Sequence, residues 1–353
     1  MSPRFLQSIG VAAVIGAVIV LLKLVSVPLA GANASAVAAD VSNAGPAPVT
    51  AWGEADLQGI WRDDYQVPLQ RPSRYASKEF FTDEERAALD KIRAAVPRFG
   101  DVGLAPRGSE QDVSGAYNAV FTSTRPTGRR TSMIVEPRDG RIPPFTSEAK
   151  GRNDAIRDFR LALLQATSIC KNQLPGCLGG KYGAPSPRRA EAPPYYPATG
   201  AAAGGSFNRA DGPEDRGLSE RCMAATMPDF GGFRRIVQSP GAVAIFYDTG
   251  QGQGWQRIIP ITTRPHLPSH IRQWWGDSRG HWEGKTLVVD VANFTPKTDY
   301  QGSRENLHLV ERWTRLDAHT LEYVVRVEDP ATWTRPWTFK QELSRQRDRK
   351  SVV

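Results

Sequence analysis

From residue 233 onward, short runs of alternating apolar and polar residues follow one another. They cover 233–238, 242–247, 256–261, 286–291 and 337–343, with Ser239-Pro240-Gly241 and Trp282-Glu283-Gly284-Lys285 as turns. Such a series predicts an antiparallel meander. The clearest hairpin is 307–328. With its turn centred on Ala318, Trp313 faces Tyr323, Glu311 faces Val325 and Leu309 faces Val327. Those six share one face because side chains alternate along a strand. The opposite face carries His308, Arg312, Glu322, Arg326 and Glu328, a solvated ladder of charge.

The first half of the chain is less regular. Gly59-Ile60-Trp61 opens the folded part in the way many calycin-type barrels begin, with glycine allowing close approach and tryptophan closing the barrel floor. Thr82 and Glu85 form a capping box for a helix that Pro97 closes. A second helix is predicted over 147–166 with Ser147 as its cap, and a strand over 131–135 before the turn Pro137-Arg138-Asp139-Gly140. Residues 171–217 are rich in Pro, Gly, Ala and Arg and read as a loose insertion.

Composition agrees with the strands. Of 353 residues, 40% are hydrophobic and 23% charged, enough for a packed core. Gly 32 and Pro 27 suit many turns. The predicted fold is all-β: an antiparallel, calycin-like barrel or sandwich with helical and long-loop insertions.

Lys and Arg number 45 against 37 Asp and Glu, a net +8. The basic residues are scattered, with pairs at 129–130, 188–189 and 234–235 and no stripe, which argues against nucleic-acid binding. The P-loop, HExxH, CxxC and EF-hand patterns are absent.

The N-terminus places one arginine before an apolar run at 9–22, followed by Ala32-Asn33-Ala34 and Ala36-Val37-Ala38. That is the pattern of a signal peptide over 1–39, with an uncleaved anchor as its rival. Either exports the remainder, to the periplasm or medium of a Gram-negative bacterium, and cleavage leaves it free of the membrane. Residues 40–55 read as a flexible entry and 56–347 as one β-rich domain. The last six residues, 348–353, match the translation of a common sequencing adapter, so the natural chain is expected to continue differently past Arg347. Cys170 and Cys177 bracket a turn-like loop and suit a disulfide in an exported protein; Cys222 is left over.

Several segments resemble a family of exported bacterial proteins of unknown function. They are 57–61 (LQGIW), 131–144 (TSMIVEPRDGRIPP), 217–222 (GLSERC), 257–268 (RIIPITTRPHLP), 276–294 (GDSRGHWEGKTLVVDVANF) and 307–337, which runs into a TRPWT motif. The resemblance spans most of the mature chain. It implies a further strand and a Cys- and His-bearing tail beyond this chain's end, and thereby a partner for Cys222. It implies no activity.

Three groups of residues carry candidate chemistry. Gly276-Asp277-Ser278-Arg279-Gly280 matches G-x-S-x-G, but a strand follows it where a nucleophile elbow needs a helix, so a Gly-flanked turn is the simpler reading. His266, His270, His281 and Glu283 are weak candidates for a zinc or iron site; no other cofactor is indicated. Glu311 falls on the apolar face, where a carboxylate must be paired or shifted in pKa; Arg257 or Arg272 is its predicted partner.

The leading expectation is a cell-envelope barrel binding a small, flat, apolar or glycosidic ligand through Trp274, Arg279, His281 and Glu311. The first alternative is an exported lyase, isomerase or hydrolase, with Glu311 or His281 as acid and base and Arg279 steadying an anion. The second is a structural envelope protein without a site. A polar lumen favours the enzyme, an apolar one the binder and a filled one the structural role.

Overall fold

The computed structural model describes residues 46–95, 125–191, 227–228, 233–250, 253–296 and 298–346. The signal-peptide segment, Cys222, most of 171–217 and the last six residues lie outside these.

Among the described residues, ten strands form a single sheet in which hydrogen-bonded neighbours are antiparallel. They are β1 Gly59–Arg62, β2 Ile134–Glu136, β3 Phe233–Ser239, β4 Ala242–Gly250, β5 Gln253–Pro260, β6 Asp277–Glu283, β7 Thr286–Ala292, β8 His308–Arg315, β9 Thr320–Glu328 and β10 Trp337–Arg345. The order is β5-β4-β3-β1-β10-β9-β8-β7-β6, with β2 paired to β10. Strands β3 to β5 and β6 to β10 are two meanders, β1 joins them by pairing with β3 and β10, and the outer strands β5 and β6 run parallel.

The sheet curls until its two outer strands meet, giving a nearly closed barrel. Ile261, just past β5, bridges to Gly280 in β6, and the Thr262 amide donates to Gly280 O at 2.9 Å. Gly280 is needed there: a Cβ would stand 2.9 Å from both Ile259 Cγ2 and Ile261 Cδ1. This is the seam of the barrel.

The predicted hairpin register is observed. Leu309 pairs with Val327, Glu311 with Val325 and Trp313 with Tyr323. All six are buried, while of the opposite face only Arg326 is exposed and the rest are half-covered by their cross-strand neighbours. The first-strand expectation also holds at Trp61, which is fully buried and donates Nε1 to Leu57 O at 2.8 Å. The Arg315 guanidinium lies over its ring at 5.2 Å and donates to Asp56 O, Asp317 O and Ala318 O. Indole and guanidinium together close the barrel end beside the β8–β9 turn.

Helix α1 (Asp83–Ala95) has the predicted capping box: the Thr82 amide donates to Glu85 Oε2 at 2.8 Å and the Glu85 amide to Thr82 Oγ1 at 3.3 Å. Helix α2 (Ser147–Leu164) is capped one residue earlier than expected. Thr146 Oγ1 accepts from the Ala149 amide and donates to Ala331 O at 2.7 Å, so the extended backbone of Thr146 serves both the helix and its neighbour. A short helix α3 (Ser168–Lys171) carries Cys170, which is disulfide-bonded to Cys177. No described helix is long and apolar enough to cross a membrane.

Three expectations are corrected. The strand at 131–135 is only Ile134–Glu136, because Ser132 Oγ and the Met133 backbone bond to Ile134 O, Pro68 O and the Lys340 amide instead. Residues 277–280 are extended within β6 and not a turn, since cross-strand pairing with β7 satisfies their backbone. The flexible entry is folded from residue 46 onward. Val49 bridges to Ala55, and Gln238 on β3 holds the Leu57 amide and Ala55 O.

Candidate functional site

Inside the barrel, the alternation of each strand brings polar side chains to one place. Glu311 on β8 has no exposed surface at all. Arg257 on β5 donates Nη1 to both of its oxygens, at 3.0 and 2.9 Å, and Nε to Ser278 Oγ at 2.9 Å. The Trp313 indole donates to Glu311 Oε2 at 3.2 Å. Burial opposes the Arg257 cation, but Glu311, with the Tyr247 and Tyr323 hydroxyls behind it, raises its pKa above the usual arginine value. Burial pushes the Tyr247 hydroxyl up to about 12. Both Glu311 oxygens are therefore engaged, the arrangement of a buried strut.

Beside this pair runs an aromatic stack. Tyr247 and Trp255 face each other across β4 and β5, their rings parallel at 4.3 Å. Trp275 lies on the other face of Trp255, also at 4.3 Å. Tyr247 and Trp255 are buried; Trp275 is half-buried. Trp275 comes from the strap 262–276, which crosses the seam from β5 to β6. Arg272 fastens the strap by donating Nη1 to Phe294 O and Glu305 O at 3.0 and 2.8 Å, and Asn293 Nδ2 donates to Leu267 O at 2.7 Å. Gly276, at φ +69°, returns it to β6 where a Cβ would meet Ala292 O at 2.7 Å.

On the outer face, imidazoles and carboxylates form a chain across β6 to β9. His266 in the strap has Nδ1 3.0 Å from Asp277 Oδ2 and Nε2 2.6 Å from Asp290 Oδ1. His308 Nε2 donates to Asp290 Oδ2 at 3.0 Å, and its Nδ1 lies 3.7 Å from Glu328. Asp277 Oδ2 also receives the Leu267 amide and lies 3.0 Å from Arg279 Nη2. The His308 hydrogen bond, against the desolvation of partial burial, and His266 hold Asp290 below the usual carboxylate range. The Asp290 hydrogen bond, against desolvation, raises His308. Both His266 nitrogens face carboxylates, so neither is left to take a proton from a substrate. The arrangement is a clasp for the strap.

The candidate residues chosen from the sequence separate. Glu311 lies in the lumen with Arg257, as one of the two predicted pairings had it; Arg272 is tied to strap carbonyls instead. Arg279 and His281 stand on the outer face of β6, because they alternate with the inward Ser278 and Gly280. His281 is half-exposed, 3.3 Å from Glu283, which is held by Arg312 at 2.8 Å. They do not join Glu311 in one site. Trp274 is half-buried against the core, next to Trp275. His266 and His281 have separate partners and His270 is exposed, so the proposed metal ligands do not converge. Among the described residues no group of three His, Cys, Asp or Glu is placed to hold a metal ion.

Tyr247, Trp255 and the Asp290–His308 link were missed. A signal existed for each. Tyr247, Trp255 and Arg257 fall on the inward parity of β4 and β5, and Asp290 interrupts the apolar run of β7.

No family model matches the chain, and no curated protein matches it. Among solved structures it is similar to a secretory abundant heat soluble protein from Ramazzottius varieornatus, at 11% identity and a TM-score of 0.24, over 37% of this chain and 79% of that one. Secretory abundant heat soluble protein 4 from the same organism gives 11% identity and a TM-score of 0.21, over 32% and 68%.

Proposed function

We propose that the protein is an exported cell-envelope barrel that binds a small, flat, largely apolar or glycosidic molecule at the β5–β6 seam. The observation that carries this is the Tyr247–Trp255–Trp275 stack, which leads from the sealed interior to a half-buried ring on the strap. Flat ligands stack on such rings, each aromatic pair contributing about 0.5–1.5 kcal/mol beyond area burial. Export is supported by the N-terminal charge and apolar pattern and by the Cys170–Cys177 bond.

The test is a thermal-shift screen with aromatic glycosides, steroids, lipids and divalent metals, repeated on Trp275→Ala. A ligand that binds the native state raises the melting temperature. The expected result is a shift with a flat organic compound that Trp275→Ala removes. A shift with a metal alone sinks the proposal.

One observation favours a second reading, a structural envelope protein. Ile245, Val289, Glu311, Trp313 and Val325 have no exposed surface, so that part of the lumen is filled by the protein's own side chains. No shift with any compound supports that role. The acid–base reading has less behind it, since Glu311 is held as a strut and His281 faces outward.

A further inference from the structure

The interior beside the stack holds three hydrogen-bond donors that meet no acceptor: the Tyr247 hydroxyl, the Trp255 indole N–H and Arg257 Nη2. All three side chains are more than nine-tenths buried. They are neighbours, since Tyr247 pairs with Trp255 across the strands and Arg257 is the next inward residue of β5. The Tyr247 hydroxyl faces the Arg257 guanidinium without forming a well-directed bond to it. Other donors beside them are engaged: Arg257 Nη1 and Trp313 Nε1 on Glu311, Arg257 Nε on Ser278, and Arg234 Nη2, whose guanidinium lies 5.9 Å from the Tyr247 ring, on Gln341. A buried donor without a partner costs about 1–3 kcal/mol, and native interiors rarely leave several together.

We infer that these donors receive the carbonyl oxygen of a flat conjugated ketone or quinone whose rings lie along the edge of the Trp255–Trp275 stack. The inference rests on the seam-binding proposal and narrows its ligand class. An amine is a poor fit, because it sets donors against donors. A carboxylate is disfavoured at Arg257, because that cation is already matched by Glu311 and a second anion beside Glu311 adds repulsion and desolvation. A carbonyl brings acceptor lone pairs and no charge. A plain hydrocarbon satisfies the rings and leaves the donors as they are.

The experiment compares fluorenone, fluorene and a fluorene carboxylate on the full chain, read by tryptophan fluorescence and melting temperature. Fluorenone is expected to bind about tenfold more tightly than fluorene, the worth of one or two added hydrogen bonds. Tyr247→Phe removes an unmatched hydroxyl, so the ligand-free protein is expected to melt at the same temperature or higher while the preference for fluorenone falls several-fold. That opposite movement separates a ligand-binding hydroxyl from a structural one. Trp255→Phe is expected to lower the preference as well. Equal binding of ketone and hydrocarbon, a preference that survives both variants, or tightest binding of the carboxylate overturns this inference and leaves the seam site standing. Binding of none of the three overturns both.

Discussion

His266 Nε2 and Asp290 Oδ1 lie 2.6 Å apart, joining the strap over the barrel seam to the outer face of β7. The two residues are 24 positions apart, and the contact exists only because the meander folds β6 and β7 side by side under the strap. Asp290 also accepts from His308, so one carboxylate ties strap, β7 and β8 together.

This link makes stability depend on pH. His308 is raised above its ordinary 6.5, so its contribution is complete below that value and is lost as pH rises through the raised value of the folded protein. Asp290 is lowered below its ordinary 3.8, so its contribution is present above that value and is lost as pH falls through the depressed one. The cluster, which includes Asp277, His266, Arg279 and Glu328, therefore contributes most between about pH 4 and 6.5. Partial exposure screens it to about 1 kcal/mol or less. Melting temperature against pH is expected to fall between pH 6 and 8 in the native protein, and Asp290→Asn is expected to flatten that slope. An unchanged slope in the variant rules out the link as its source.

The Arg257–Glu311 strut predicts a characteristic non-additivity. Glu311→Gln leaves a guanidinium in the interior without its counter-charge and is expected to cost about 3–5 kcal/mol in urea unfolding. Replacing both partners with apolar residues, Arg257→Met with Glu311→Leu, is expected to restore most of that loss, because neither charge is then buried alone. A double variant as unstable as the single one excludes the strut.

At the seam, Gly280→Ala puts a methyl against Ile259 and Ile261. Overpacking of this kind costs about 1–3 kcal/mol. Adding Ile261→Val removes one of the two opposing atoms and is expected to recover part of it. The check is chemical denaturation of the three proteins. A tolerated Gly280→Ala shows that the two outer strands do not meet as described.

Arg315→Lys tests the closed barrel end. A lysine cannot serve three carbonyls and the face of Trp61 together. Losing two donor contacts from a buried cation is expected to lower stability by about 2–3 kcal/mol, measured by calorimetry. Equal stability of the lysine variant means that charge alone, without the forked geometry, holds this end.

Most of the strands after residue 233, though not β6, and the 307–328 register were legible in the sequence because parity along a strand is a local property. Leu309, Glu311 and Trp313 needed only alternation and a turn centre to be placed on one face. The same rule placed Glu311 inside and demanded a partner for it. Alternation equally assigns Ser278 and Gly280 to one side of β6 and Arg279 and His281 to the other, but which side faces inward depends on the curl of the whole sheet. Tertiary structure alone decided that, and with it the separation of His281 from Glu311. It also chose Arg257 over Arg272, because the choice turns on β5 and β6 meeting at the seam, through contacts between residues far apart in the chain. The stacking of Trp275 on Trp255 and the clasp of His266 on Asp290 arise in the same way, from the path of a strap whose own residues have no periodic pattern to reveal it.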